Sequence, residues 1–127
     1  MIVADTSWIS ALRDPHDAHH SAAVRVNDEI GDEVVVLAAV TLAECLVVPA
    51  AMGVLDEAEL ALRSAYEIDD VDADAPRRWA TTRASRSLRL PDAIVLATAL
   101  NRDARGVATF DVRLGDAVRA EGLVVLA

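Results

Sequence analysis

Four acidic side chains lie where strand-like residues give way to the start of a helix. They are Asp5, Glu44, Asp92 and Asp111. In an open parallel α/β sheet, ligands bind in the crevice outside the carboxyl ends of the strands, so acids at successive strand-to-helix junctions can converge. Clustered carboxylates repel one another, and a hard divalent cation with oxygen ligands neutralises them. The placement therefore predicts one acidic pocket with affinity for a divalent metal ion.

Each acid also has a purely structural explanation. The segment Thr41–Glu44 fits a capping box, in which the acid only reaches back to a backbone N–H. Asp92 would be favoured by the dipole of a helix that starts beside it, and Asp5 and Asp111 could be simple N-caps. Capping alone has no need for an acid at four such junctions rather than Ser, Thr or Asn. The set as a whole favours the pocket.

The elements that would position these acids alternate between strand and helix. The predicted strands are Ile2–Ala4, Val34–Ala38, a weak candidate at Glu67–Val71, Val107–Thr109 and Leu123–Leu126. The predicted helices are Thr6–Leu12, His16–Ile30, one opened by Thr41 and kinked or ended by Pro49, Leu55–Ala65, an Arg-rich helix, Ala93–Asn101 and a short helix before the last strand. The alternation predicts an α/β fold of three layers, with helices on both faces of a central parallel sheet of four to five strands.

Length and composition predict one soluble globular domain over residues 1–127, with 54% hydrophobic and 26% charged residues. No segment approaches the ~18 to 20 unbroken apolar residues of a membrane span, and the first residues lack the pattern of a signal peptide. We therefore expect a cytoplasmic protein without membrane contact. Cys45, the only cysteine, is expected to be a small buried hydrophobe without chemistry. The histidines at 16, 19 and 20 lie at a polar helix start and are a weak zinc signal.

Charge is unevenly distributed. The 12 basic residues are all Arg and face 21 acidic residues, which gives a net charge of −9 and repels nucleic acid overall. On one helix, Arg78, Arg83, Arg86 and Arg89 would share a broad face with Trp79. This face could grip phosphates or a partner, or it could be a solvated face whose Arg side chains pair with neighbouring acids. The sequence leaves these alternatives open.

Nearly the whole chain resembles a PIN-domain ribonuclease, specifically the VapC-type toxins of bacterial type II toxin–antitoxin pairs. The motifs that carry the resemblance are Asp5-Thr6-Ser7, a mid-chain helix with Glu44, the long segment Leu90–Leu100 with Pro91-Asp92, and Thr109-Phe110-Asp111. The family often has Asn before the last Asp and an aromatic residue three positions after it. This chain has Phe110 and Leu114 there, and it retains the acid.

The resemblance implies a metal-dependent endoribonuclease that hydrolyses RNA phosphodiester bonds. In that role Asp5, Glu44, Asp92 and Asp111 would be catalytic and would hold Mg²⁺ or Mn²⁺. The hydroxyls of Thr6, Ser7 and Thr109 would support this centre, and Asp116 is a further candidate contributor. The Arg face would contact the RNA.

The resemblance also implies partners. A VapB-like antitoxin would wrap around the toxin and could push a basic side chain into the acidic pocket, since Arg pairs bidentately with carboxylates. We expect a toxin homodimer within the toxin–antitoxin complex. Apolar candidates for a partner surface are Trp8, Ile9, Leu12, Leu46 and Val47, although core packing is expected for most of them.

Other functions with an acidic pocket fit less well. A response-regulator receiver should have paired acids after its first strand and a Lys near the last, and this chain has one Asp there and no Lys. A phosphatase with an aspartyl nucleophile would need Asp-x-Asp, where this chain has Asp5-Thr6-Ser7. The alternative that stays open is a non-catalytic binding module whose acidic pocket docks an Arg-bearing partner.

Overall fold

A computed structural model describes residues 1–127, and at its centre is a parallel sheet. The strands are β1 (Ile2–Ala4), β2 (Val35–Leu37), β3 (Glu67–Ile68), β4 (Gly106–Ala108) and β5 (Val124–Leu126). They lie in the order β3-β2-β1-β4-β5, and every neighbouring pair is parallel. The predicted parallel sheet is confirmed, with five strands.

Seven helices complete the fold. They are α1 (Thr6–Arg13), α2 (His20–Ile30), α3 (Ala39–Ala51), α4 (Leu55–Ala65), α5 (Ala75–Arg86), α6 (Leu90–Asn101) and α7 (Val112–Ala120). No helix is long and apolar enough to cross a bilayer.

Two hydrophobic clusters hold the helices to opposite faces of the sheet. Successive side chains of a strand point to opposite faces, so Ile2 and Ala4 join one cluster and Val3 joins the other. The first cluster includes Trp8, Val26 and Leu62 from α1, α2 and α4. The second includes Val95 and Val118 from α6 and α7. This arrangement confirms the predicted three-layer α/β/α fold.

The second helix begins later than the sequence pattern predicts. The Asp14 side chain accepts a hydrogen bond from the backbone N–H of His16 at 2.9 Å, and Asp17 accepts from His19 at 2.7 Å. Such local bonds offer the backbone an alternative to the helix. The helix therefore starts at His20, and the predicted start at His16 is wrong.

The third helix begins earlier than predicted, at Ala39, with Ala38 in the N-cap position and no side-chain cap. Thr41 lies inside the helix, and its buried hydroxyl has no hydrogen-bond partner. The capping-box explanation of Glu44 is therefore wrong. Pro49 does not end the helix, which continues to Ala51.

The Arg-rich helix ends earlier than the pattern of Arg residues predicts. Arg86 is the last residue of α5, and Ser87 has a left-handed backbone with φ of 54°. This break reverses the chain, and Arg89 becomes the residue that precedes α6. The prediction that Arg89 shares a helix face with Arg78, Arg83 and Arg86 is wrong.

Candidate functional site

The acidic residues lie at the carboxyl edge of the sheet, where the strand order changes direction. The first strand, β1, lies between β2 and β4, so the chain winds outward from it in both directions. Asp5 follows β1 directly, and Asp111 follows β4 by three residues. Crevices at such switch points are where open α/β sheets bind ligands.

Asp5 is held by two hydroxyls. Its carboxylate is buried, with 7% of the residue exposed. The Oδ2 atom accepts hydrogen bonds from Ser7 Oγ at 2.6 Å and from Thr109 Oγ1 at 2.9 Å. Asp5 occupies the N-cap position of α1 but makes no side-chain cap bond. Its side chain is therefore fixed by residues of the crevice, and the N-cap explanation of Asp5 is wrong.

Asp111 is connected to the same network through the backbone. Its N–H donates to Thr109 Oγ1 at 3.0 Å, so this one hydroxyl bridges the two acidic residues. The Asp111 Oδ1 atom accepts from the backbone N–H of Leu114 at 2.8 Å and caps α7. The N-cap explanation is therefore correct for Asp111, and capping occupies one of its two carboxylate oxygens.

Glu44 reaches the crevice from α3. Its Oε1 atom accepts a hydrogen bond from Thr6 Oγ1 at 3.2 Å. Burial raises the pKa of the Glu44 carboxyl, and the negative charges of Asp5 and Asp92 add to the rise, while the Thr6 hydroxyl opposes it. The Glu44 carboxyl is therefore close enough to two of the other acids for their charges to raise its pKa.

Asp92 is the least satisfied of the four acids. It lies in the first turn of α6 and is 7% exposed, and its buried Oδ2 atom has no hydrogen-bond partner. The Nε of Arg89 approaches that atom to 3.5 Å, which is an ion-pair contact but longer than an ordinary hydrogen bond. Burial raises the pKa of Asp92, followed by the charges of Asp111 and Asp5, and Arg89 only partly opposes the rise.

The donor set suits a hard divalent cation. All four side chains offer carboxylate oxygens, which are the ligands that Mg²⁺ and Mn²⁺ favour. The Asp92 Oδ2 atom accepts no hydrogen bond, and its only cationic neighbour is Arg89 at 3.5 Å. In this arrangement, however, no three His, Cys, Asp or Glu side chains are grouped to ligate one ion together. The chemical type of the ligands therefore fits a divalent cation. The carboxylates lie further apart than the ligands of one bound ion, while their charges still affect one another.

Other predicted site residues are not in this network. Asp116 lies on α7 with a side chain that is 72% exposed, and it pairs with Arg119 at 3.4 Å. Cys45 is half-buried rather than fully buried as predicted, and burial raises the pKa of its thiol to about 11.

Three of the four Arg residues that were predicted to contact RNA form hydrogen bonds with other groups of the protein. Their partners are Asp72 for Arg78, the Leu88 carbonyl oxygen for Arg83, and Glu121 for Arg86. Among these four residues only Arg89 contacts an acid of the crevice. The explanation by pairing with neighbouring acids is therefore correct for Arg78 and Arg86.

Sequence reasoning missed an aromatic contact at the rim of the crevice. The rings of His19 and Phe110 are stacked, with centroids 4.7 Å apart and planes inclined by 9°. Phe110 lies between Thr109 and Asp111 in the chain, whereas His19 comes from the turn before α2. No local pattern connects residues so far apart in sequence. The one available signal was an aromatic residue inside the Thr109-Phe110-Asp111 motif.

The fold is similar to those of several proteins of known structure. No curated protein matches the chain. Among solved structures, VapC20 of Mycobacterium tuberculosis, described as a Sarcin-Ricin loop cleaving toxin, is 23% identical, with a TM-score of 0.71 and coverage of 98% of this chain and 97% of that one. A toxin-antitoxin complex from Klebsiella pneumoniae is also 23% identical, with a TM-score of 0.74 and coverage of 91% and 90%. FitAcB from Neisseria gonorrhoeae is 22% identical, with a TM-score of 0.72 and coverage of 100% and 97%. The PIN domain family model matches residues 2–119. The chain therefore belongs to the PIN domain family.

Proposed function

We propose that the protein is the toxin of a type II toxin–antitoxin pair and acts as a metal-dependent endoribonuclease. The observation that carries the proposal is the buried Oδ2 atom of Asp92, which has no hydrogen bond and only a long ion pair with Arg89, in a crevice shared with three other acids. Membership of the PIN domain family supports it, as does the likeness to a toxin described as cleaving the Sarcin-Ricin loop.

In this proposal Asp5, Glu44, Asp92 and Asp111 hold Mg²⁺ or Mn²⁺ and are the catalytic residues. The cation, when bound, favours deprotonation of the attacking water and stabilises negative charge on the scissile phosphate. Burial first, and then the charges of neighbouring acids, raise the pKa values of Glu44 and Asp92. A bound cation would favour the charged carboxylates and offset both effects. Binding requires the four carboxylates to turn toward one point, because no three of them are grouped around a common centre without the ion.

The hydroxyls act as positioning groups. Ser7 and Thr109 donate to one oxygen of Asp5 and leave the other oxygen available. Thr6 holds Glu44 from the first turn of α1. Rigid support of this kind keeps ligands within the narrow geometry that catalysis requires. Asp116 is exposed and faces Arg119 rather than the hydroxyl network, so we assign it no more than an outer role.

RNA must approach a protein with a net charge of −9. We assign the first phosphate contact to Arg89, whose side chain is 74% exposed at the mouth of the crevice. Its ion pair with Asp92 is long and can be exchanged for a phosphate when a cation neutralises the acid. Arg78, Arg83 and Arg86 are engaged within the protein and contribute less to RNA binding.

A VapB-like antitoxin is the proposed partner, since a similar fold occurs in a toxin-antitoxin complex. Trp8 and Ile9 are buried in the core, but Val47 is 65% exposed. Other exposed apolar side chains at the end of α3 and on α4 are Val48, Met52 and Leu60. Exposed apolar surface of this kind marks interaction sites, and we propose that the antitoxin or a second toxin chain covers it. A monomeric mass for the purified toxin at micromolar concentrations would count against the homodimer.

The first test is cleavage of total cellular RNA by protein free of antitoxin. The reaction is run with Mg²⁺, with Mn²⁺ and with EDTA, using wild type, Asp5→Asn, Asp92→Asn and the control Asp28→Asn, which changes an exposed acid of α2. We expect metal-dependent cutting by wild type and the control, and loss in both crevice variants. Cutting that persists in EDTA or in Asp5→Asn would contradict the proposed mechanism.

The contact between Arg89 and Asp92 favours one alternative, a non-catalytic pocket that docks an Arg-bearing partner, because the crevice already accepts a guanidinium. The two functions separate in one comparison. A binding module would hold an Arg-bearing peptide without metal and cut no RNA, whereas the nuclease would release such a peptide as Mg²⁺ is added.

A further inference from the structure

The stacked rings of His19 and Phe110 form an aromatic step at the rim of the acidic crevice. Their centroids are 4.7 Å apart and their planes are nearly parallel, at 9°. His19 is exposed and Phe110 is half-buried. Burial in the core therefore explains only Phe110. The imidazole has one face on Phe110, and His19 as a whole is open to solvent.

Phe110 is fixed to the site by its backbone. Its N–H donates to Ser7 Oγ at 3.0 Å, and that hydroxyl donates to Asp5 Oδ2 at 2.6 Å. The next residue, Asp111, caps α7. The ring also packs against the first hydrophobic cluster. The aromatic step therefore cannot shift without disturbing the residues that hold two of the four acids.

His19 is fixed independently. Its backbone N–H donates to Asp17 Oδ1 at 2.7 Å, in the turn that precedes α2. A nearby histidine, His16, has the same kind of backbone bond, to Asp14 at 2.9 Å, but its ring stacks on no other ring. The stack is therefore a particular feature of position 19 rather than a property of the turn.

A groove of about 260 Å³ adjoins the step. Phe110 and Asp111 line it together with Val112, which is 76% exposed, and Arg119. Arg119 is held only by an exposed ion pair with Asp116 at 3.4 Å, a contact of little net strength. Aromatic rings for bases beside a cation for the backbone are the two components of sites that bind single-stranded nucleic acid.

We propose that His19 and Phe110 are a stacking site for one unpaired nucleobase of the RNA, next to the phosphate that is cleaved. The inference rests on the proposed ribonuclease function and adds a substrate contact to the same site. Stacking is tolerant of base identity, because every base has a π-face, so the site contributes affinity more than sequence selectivity. Loss of one stacking contact is expected to weaken RNA binding by about five- to 100-fold.

The test uses short single-stranded RNA that carries a fluorescent aminopurine, whose emission falls when it stacks. Binding is measured in Mg²⁺ in an Asp92→Asn background, so that bound RNA is not cut. His19→Ala removes the exposed ring, and His16→Ala is its matched control. We expect quenching in the background protein, weaker binding by at least about fivefold in His19→Ala, no change in His16→Ala, and recovery of quenching in His19→Tyr, which restores a flat ring.

Two results would overturn the inference. One is equal binding by His19→Ala and His16→Ala, and the other is failure of His19→Tyr to recover quenching. If wild type still cuts RNA in Mg²⁺ with either result, the stacking site is refuted and the nuclease proposal stands. If the wild type neither cuts nor binds RNA, both fall. Melting temperatures of the variants verify that each is folded. Phe110→Leu is a second variant, which removes the ring on which His19 stacks and keeps an apolar side chain in its place.

Discussion

The Oγ1 atom of Thr109 donates a 2.9 Å hydrogen bond to Oδ2 of Asp5, and it joins residues that are 104 positions apart in the sequence. The same oxygen accepts the N–H of Asp111 at 3.0 Å. One buried hydroxyl therefore connects the ends of β1 and β4 and determines where two acids lie relative to each other.

Replacement of Thr109 by Val should test this connection. Valine has the same shape without the hydroxyl, so the buried Asp5 carboxylate loses a donor and the Asp111 N–H loses its acceptor. We expect a loss of about 1.5 to 3 kcal/mol in the free energy of unfolding, measured by chemical denaturation. RNA cleavage should also fall, because Asp5 Oδ2 then keeps only one of its two hydroxyl donors, that of Ser7.

Thr41→Val is the matched control. Thr41 is fully buried as well, but its hydroxyl has no hydrogen-bond partner. Replacement of an unsatisfied hydroxyl by a methyl group is expected to be neutral or stabilising, by up to about 1 kcal/mol. Equal destabilisation in both variants would mean that the Thr109 hydroxyl has no special role.

Asp92→Asn is expected to trade function for stability. Burial and the charges of Asp111 and Asp5 raise the pKa of Asp92, so the charged carboxylate is less favourable in the folded protein than in the unfolded chain. Removal of the charge should raise the melting temperature of the metal-free protein by a few degrees at neutral pH. Added Mg²⁺ should stabilise the wild type but not the variant, because ligands that bind only the native state raise its stability.

The pH dependence of this gain has a definite sign. With a folded-state pKa above the usual 3.8, the folded protein binds more protons than the unfolded chain in the window between the two values. Stability therefore falls as pH rises through that window. The advantage of Asp92→Asn should be full above the window and should vanish as pH drops below it. A gain that stays constant in a pH series of melting curves would refute this electrostatic origin.

Arg89 and Arg86 should differ in what their removal affects. Arg89→Ala removes the exposed cation at the crevice and is expected to weaken RNA binding several-fold, with a salt dependence of binding that is lower by about 0.7 in slope. Arg86→Ala breaks an ion pair with Glu121 of 2.7 Å and should lower stability by up to about 1 kcal/mol with little effect on RNA binding. Equal losses of RNA affinity in Arg89→Ala and Arg86→Ala would mean that both side chains contact the RNA.

The layers of the fold and the positions of Asp5 and Asp111 were predictable because their signals are local. The predicted strand-to-helix junction is wrong for Glu44, which lies inside α3, and for Asp92, which follows helix α5 rather than a strand. Short, continuous apolar runs such as Val35–Leu37 belong in a sheet that is covered on both faces, and an acid after such a run lies at its carboxyl edge. The sequence alone could therefore place Asp5 and Asp111 at one edge of the sheet. It could not give the hydrogen bonds through which Thr109 holds them, because that contact depends on which strands are neighbours.

The errors came from competition between local conformations. The Asp17 side chain bonds to the backbone and delays the start of α2, which periodicity alone cannot detect. A left-handed backbone at Ser87 is rare for a residue other than Gly, and it moves Arg89 from a helix face to the crevice. The stacking of His19 on Phe110 could not be predicted without the tertiary fold, because the two residues are far apart in the sequence.

Gly106 is expected to be intolerant of any side chain, because β4 and β5 approach closely there. A Cβ atom at this position would lie well inside contact distance of the Val124 carbonyl oxygen, which belongs to the backbone and cannot rotate away. Gly106→Ala should therefore separate the two strands and destabilise the protein by roughly 1 to 3 kcal/mol, the usual range for overpacking. Gly115→Ala is the control in α7, where a Cβ would first meet the flexible end of Arg119 at 3.5 Å and where Ala favours the helix by about 1 kcal/mol. Denaturant midpoints should therefore move in opposite directions, and a stable Gly106→Ala protein would show that the β4–β5 edge can open without cost.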